Sequence, residues 1–272
     1  MTETGYFKSG NNLLSYFCTI PQMRKKKEGI IFVHAADGNR LGPHRMFVEF
    51  AEKFNSLGYP TLRFDLTGCG DSTGSVSRNS IENDVSDVIQ AVNFFKHRAD
   101  LKYIILFGIS RGARVCFTAM SNYTLPLRTV ILLSAPVSTG KAALKSFAVR
   151  LKEYVCKLKD PKGLRKLFTA RADVPRICKT LLTALQLSRR YQSAENTTIA
   201  SKCPILFIYG GCDPITAESS LYYTAKCRKN RLPYHCHIIS DANHSFFHYK
   251  WKEEIFNTSS QWLENILNQE LK

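Results

Sequence analysis

The chain has 272 residues, with 38 Lys and Arg against 22 Asp and Glu and a formal net charge of +16. Its 44% hydrophobic content, mixed with charges of both signs, marks a folded globular chain and excludes a disordered one. No apolar run approaches the roughly 20 residues that span a bilayer, and the opening MTETGYFKSGNN lacks a basic region leading into an apolar one, so a soluble, unexported, cytoplasmic chain is expected.

The opening stretch, Tyr6-Phe7 and then Leu13 to Ile20, predicts an antiparallel hairpin turned at Gly10-Asn11-Asn12. Ile30 to Val33 is a short all-apolar run, as expected of a strand buried on both faces. Phe47, Phe50, Phe54 and Leu57 recur at helical spacing until Gly58. A strand follows at Thr61 to Phe64. Ile81 to Phe95 then predicts a helix with Val85, Val88, Ile89 and Val92 on one face. Next come a strand at Tyr103 to Phe107, a helix at Arg111 to Asn122 and a strand at Val130 to Leu133.

Residues 139–202 break this alternation and read as helices only, with Leu144, Phe147, Leu151, Tyr154, Val155 and Leu158 as an apolar stripe. They hold 15 Lys and Arg against four acids, +11 in 64 residues, whereas the other 208 residues carry +5. The alternation resumes with a strand at Ile205 to Tyr209, a helix near Glu218 to Lys229, a strand at Tyr234 to Ile239, and a closing amphipathic helix marked by Trp251, Ile255, Trp262 and Ile266. Strands alternating with helices imply a mostly parallel sheet covered on both faces. The expected organisation is one α/β core, residues 1–138 and 203–272, with 139–202 as a helical lid inserted at the sheet edge that carries the functional loops.

Gly108-Ile109-Ser110-Arg111-Gly112 matches G-x-S-x-G. It follows a buried strand directly and opens a helix, the setting in which that pattern makes a sharp elbow exposing the serine hydroxyl. The glycines are needed because the turn is tight, and the next backbone N–H, that of Arg111, is aimed at a developing oxyanion. A serine needs a base to take its proton. In this architecture the partners follow in the order Ser, Asp, His. Asp213 follows the strand Ile205 to Tyr209 through Gly210-Gly211-Cys212, and a carboxylate there would fix the imidazole's tautomer. His244 lies just after the last strand, and His248, one helical turn on, is its competitor. His235 and His237 fall inside a strand, and His97 ends a surface helix.

The elbow, Tyr209-Gly210-Gly211-Cys212-Asp213-Pro214 and Asn243-His244-Ser245-Phe246 resemble the α/β-hydrolase superfamily, nearest its serine aminopeptidase and monoglyceride-lipase-like branch. A run from Gly42 to Phe47 followed by Arg63 to Ser72 is similar to the exosortase-A-system-associated hydrolases of bacteria. The resemblance implies a second oxyanion N–H from the loop His34-Ala35-Ala36-Asp37-Gly38, which Ala36 would supply, alanine standing at Ala35 where the family has glycine. It gives Asp65 and Asp71 a structural rather than a catalytic role. His44 and Arg45 are expected to cap a helix or face solvent.

The expected chemistry is cleavage of a carboxylic ester or thioester through an acyl-enzyme, with no metal and no cofactor. The same site would run acyl transfer if an alcohol or amine displaced water. A non-catalytic binding protein on the same fold is the alternative. The basic segment suggests an anionic partner, an acyl-CoA or an acidic acyl carrier protein, or peripheral contact with a membrane through the lid. It has no recognisable nucleic-acid reading motif. Nine cysteines, odd in number and scattered singly from Cys18 to Cys236, fit neither a disulfide framework nor a zinc site. Free thiols are expected, with Cys69 and Cys212 as small packing residues near the site.

Overall fold

The computed structural model describes residues 1–23, 26–36, 38–75, 80–137 and 198–269. All but Val137 belong to one compact unit, Met1–Pro136 together with Thr198–Lys272. The expected lid lies outside the described residues except at its end. There Ala200 and Ser201 donate their N–H groups to the carbonyls of Ser121 and Met120, so this short stretch belongs with the core.

Eight strands form one sheet. They are β1 (Thr2–Ser9), β2 (Asn12–Thr19), β3 (Glu28–Val33), β4 (Thr61–Phe64), β5 (Tyr103–Ile109), β6 (Leu127–Leu133), β7 (Ile205–Gly210) and β8 (Tyr234–Ile239), in the order β1-β2-β4-β3-β5-β6-β7-β8. The β1–β2 hairpin joins β4 antiparallel, and the pairings from β4 through β8 are parallel. Every residue of β3, β4, β6 and β7 is buried. That requires helices on both faces, and their apolar runs supply the matching hydrophobic surface.

Among the described residues, five α-helices do the covering: α1 (Met46–Ser56), α2 (Ile81–Arg98), α3 (Arg111–Asn122), α4 (Thr216–Lys229) and α5 (Tyr249–Gln269). Alternate strand residues point to opposite faces. Phe32, Phe107, Ile131, Leu133, Leu206 and Ile208 face α1 and α5, forming one core with Phe47, Phe50, Phe54, Ile255 and Leu263. On the other face Phe117 of α3, Phe207 of β7 and Tyr223 of α4 meet ring to ring. Each fully buried large apolar side chain stabilises the fold by roughly 1.5–3 kcal/mol before chain entropy is counted.

Three strands begin earlier than their apolar runs; β3 starts at Glu28, two residues before Ile30. In β1 the polar residues Thr2 to Gly5 pair with Tyr16 to Thr19, and half of them face solvent at the sheet edge, so hydrophobicity does not reveal them. β6 starts at Leu127 because Arg128 and Thr129 are buried by specific partners. The Arg128 guanidinium lies over the Tyr103 ring, and Thr129 Oγ1 accepts the Trp262 indole N–H at 2.9 Å.

Candidate active site

The carboxyl ends of β5, β7 and β8 bring the site together. β5 stops at Ile109, and Ser110 turns the chain with φ 52° and ψ −121°, a conformation costing a non-glycine residue about 1–3 kcal/mol. The turn is held by its neighbours. The Ser110 N–H donates to the Leu133 carbonyl at 2.8 Å, and its own carbonyl accepts Arg114 N–H at 3.1 Å. A Cβ at position 108 would stand 2.7 Å from the backbone of Ala113, and one at position 112 would overlap the carbonyl oxygens of Val33 and His34. Glycine at these two places lets α3 start directly above β5 and against the end of β3.

Two further loops close on this elbow. After β7, Gly211 and Cys212 donate N–H groups to the carbonyls of Ile239 and Ala242, so the loop following β7 is stitched to the loop following β8. Asp213 emerges from the first and His244 from the second. The Asp213 carboxylate is buried; one oxygen accepts Ile215 N–H at 3.2 Å and the other lies 2.6 Å from His244 Nδ1. His244 Nε2 lies 2.8 Å from Ser110 Oγ. A carboxylate accepts, so Nδ1 carries the proton and Nε2 is free to take one from the serine. The His244 side chain is 38% exposed and that of Asp213 1%. The base is therefore partly open to solvent while the acid is shielded from it.

His248 is not part of this arrangement. Its Nδ1 accepts the Lys250 N–H at 3.3 Å, and its ring rests on Tyr249 and Trp251. His235 stacks on Trp262, His237 Nε2 meets Glu254 at 2.7 Å, and His97 is exposed in the last turn of α2. His44 and Arg45 face solvent with φ 49° and 59°. Of the two expectations, capping or exposure, the second holds: Arg45 stands at the N-cap of α1 in a left-handed conformation and makes no side-chain cap.

Arg111 opens α3 and Ala36 lies exposed in the loop after β3. Neither backbone N–H has an acceptor among the described residues. Asp65 is fully buried, accepts the backbone N–H groups of Arg40 at 2.6 Å and Asp71 at 3.0 Å, and pairs with the Arg40 guanidinium. A second Arg40 nitrogen meets Asp71 at 2.6 Å. Both aspartates fix the loop from Leu66 to Ser72. Cys69 is buried as expected, but Cys212 is exposed: the turn uses its backbone, and its thiol is left at the surface. The seven described cysteines are free.

A buried ion pair beneath the elbow was not read from the sequence. Arg111 Nε donates to Asp84 Oδ2 at 2.6 Å, with the Asp84 side chain 1% exposed and that of Arg111 29%. The pair leaves Asp84 Oδ1 and Arg111 Nη2 buried without partners. Burial pushes the Asp84 carboxyl up from its ordinary value, against the opposing pull of Arg111. One turn later Asp87 accepts Ser9 Oγ–H at 2.6 Å and Thr67 N–H at 2.8 Å, and burial pushes it up as well. The available signal was two acids three residues apart on the apolar face of an amphipathic helix.

A mostly parallel eight-stranded sheet, helices on both faces and a serine at a strand–helix elbow define an α/β-hydrolase fold. The family model described as "Serine aminopeptidase, S33" matches residues 40–248, and the chain belongs to that family. Over 86 residues it is 35% identical to the lysophosphatidylserine lipase ABHD12 of Danio rerio, covering 32% of this chain and 21% of that protein. The matching stretch is thus about a fifth of the length of the curated relatives. Among solved structures, mouse alpha/beta hydrolase domain-containing protein 10 superposes with a TM-score of 0.65 at 18% identity, covering 97% of this chain and 99% of that one. Est1E of Butyrivibrio proteoclasticus, solved with ferulic acid bound, gives 0.68 at 16% identity over 97% and 99%.

Proposed function

We propose that the protein is a serine hydrolase that cleaves carboxylic esters or thioesters through an acyl-enzyme. The observation that carries this reading is the continuous chain from Asp213 through His244 to Ser110, with hydrogen bonds of 2.6 and 2.8 Å, at an elbow that holds the serine in a strained turn. In the first half-reaction His244 Nε2 takes the Ser110 proton as Oγ attacks the acyl carbon, and the C–O or C–S bond breaks as that proton passes to the leaving group. In the second, His244 takes a proton from water, whose oxygen attacks the acyl-enzyme, and the acid departs as the proton returns to Ser110. Asp213 holds the imidazole and stabilises it when charged. The N–H groups of Arg111 and Ala36 donate to the oxyanion, and each such donor can contribute on the order of 3 kcal/mol to the transition state.

Membership of a hydrolase family supports this reading, as do the esterase and lipase names among the similar proteins. The 15 Lys and Arg against four acids in residues 139–202 favour an anionic acyl donor, acyl-CoA or acyl carrier protein, over a neutral ester. Among the described residues no helix is long and apolar enough to cross a membrane. The test is hydrolysis of p-nitrophenyl esters and acyl-CoAs of matched, increasing chain length, between 0.01 and 0.1 M salt. Turnover that disappears in Ser110→Ala supports the hydrolase. A fall in kcat/KM with salt for acyl-CoA alone supports the anionic donor, because screening over this range shortens the Debye length from about 30 to about 10 Å. A folded chain that turns over no ester or thioester leaves a binding protein as the better reading.

A further inference from the structure

β4 lies between β2 and β3 in the sheet, and its third residue is an arginine. Arg63 stands opposite Phe17 on one side and Phe32 on the other, and only 6% of it is exposed. Its guanidinium lies over the Phe17 ring, 4.5 Å from the centroid, and Nη1 donates to the Arg40 carbonyl at 3.3 Å. Nε is buried with no acceptor. Among the described residues no carboxylate comes within ion-pair distance of Arg63, whereas Arg40, Arg98 and Arg111 each meet one.

A guanidinium keeps its proton in a protein, so Arg63 carries its charge into the interior. Buried charges are ordinarily paired, because a cation taken out of water without a partner opposes folding. One aromatic face and one neutral carbonyl offset only part of that cost. The charged groups that act on it most strongly are Arg40, Glu52, Arg45 and Asp65. Asp65 is already engaged, accepting two backbone N–H groups and the Arg40 guanidinium, and Asp71 takes a second Arg40 nitrogen. That leaves Arg63 and Arg45 facing Glu52 alone. Arg45 and Glu52 are both exposed. Arg45 is also the N-cap of α1 and makes no side-chain cap, so the positive end of that helix adds to the two guanidiniums.

We propose that Arg63 and Arg45, at the amino end of α1, form a binding site for a phosphate-type oxyanion, Arg63 being its buried half and Arg45 its exposed half. A guanidinium fork matches two oxygens of a phosphate. Two cations and a helix end set against one carboxylate favour a dianion over a monoanion such as acetate. The phosphate is either the free ion or part of a phosphorylated small molecule, and the Glu52 carboxylate competes with it for Arg63. The site does not depend on the serine chemistry.

The full chain is titrated with sodium phosphate in low-salt buffer and followed by calorimetry and by melting temperature. Sodium chloride at matched ionic strength and sodium acetate are the controls. Phosphate should bind saturably and raise the melting temperature, as a ligand of the folded state alone does, while the controls do neither. Arg45→Gln should weaken phosphate on the order of tenfold, the loss of one charge-assisted contact, and melt like wild type in phosphate-free buffer. Glu52→Gln should tighten it. Arg63→Met should abolish binding; where that variant does not fold, Arg63→Lys, which keeps the charge and loses the fork, should weaken it. CoA and 3′-dephospho-CoA distinguish the sources. A preference for CoA that Arg45→Gln removes marks a carried phosphate, and equal binding of the two beside saturable phosphate marks the free ion; both uphold the site. No binding beyond the controls, or binding that Arg45→Gln and Arg63→Lys leave unchanged, overturns the proposal. So does a Glu52→Gln variant that melts below wild type without gaining phosphate affinity, since Glu52 is then the partner of Arg63. Ester and thioester hydrolysis enter none of these measurements, so failure of the hydrolase reading leaves them untouched.

Discussion

His244 Nε2 and Ser110 Oγ lie 2.8 Å apart although 134 residues separate them in the chain. That distance depends on three loops at one edge of the sheet: the elbow after β5, the Asp213 turn after β7 and the His244 turn after β8. The last two are joined through the N–H groups of Gly211 and Cys212. The following outcomes are expected from this geometry.

Asp213→Asn should lower kcat about 10⁴-fold with little change in KM, because an amide can present N–H to Nδ1 and so select the wrong tautomer. Steady-state kinetics on an activated ester checks this. A loss confined to KM would show that Asp213 shapes binding instead.

Ser110→Gly should be more stable than Ser110→Ala by about 1 kcal/mol, since glycine accepts φ 52° without penalty. Urea unfolding of the two inactive variants measures the difference. Equal stabilities would mean that the elbow stores no strain at the serine.

Asp84→Ala should destabilise the fold by about 3 kcal/mol, because it leaves the Arg111 guanidinium buried without its partner. Removing both charges, as Asp84→Leu with Arg111→Met, should recover most of that loss. Thermal unfolding of the single and double variants decides it, and a double variant no better than the single would show that the pair is not the cause.

Stability should fall on acidification through His34. Its folded-state value is depressed by burial, so the unfolded chain takes up the proton first. The stabilisation is complete above the unfolded value of about 6.5 and is lost below it, by up to about 1.4 kcal/mol per pH unit. Unfolding free energies from pH 7.5 to 5 should drop more steeply for wild type than for His34→Gln. Parallel curves would show that the ring does not titrate in this way.

Sequence patterns identified the fold where strands carry an unbroken apolar run, as at Ile30 to Val33 in β3 and Ile205 to Tyr209 in β7, and where helical spacing is clean, as in α1. They failed at Thr2 to Gly5 and at Arg128-Thr129, where strand formation follows from pairing at an edge or from a partner distant in sequence. Ser110, Asp213 and His244 were legible because each stands at a strand end beside glycine or a turn, and only one histidine directly follows the last strand. The Arg111 partner of Asp84 and the Leu66 partner of His34 were not. The spacing of Asp84 and Asp87 on an apolar helix face hints at buried acids, but tertiary contacts alone decide what each buried group pairs with.

The central claim, that Ser110 is a nucleophile activated by His244, is tested most directly by a fluorophosphonate probe read by intact mass and peptide mapping. The account predicts one label per chain, located on Ser110, formed rapidly by the wild type, absent in Ser110→Ala and strongly slowed in His244→Ala. A label on another residue, or none on folded wild-type protein, would contradict it.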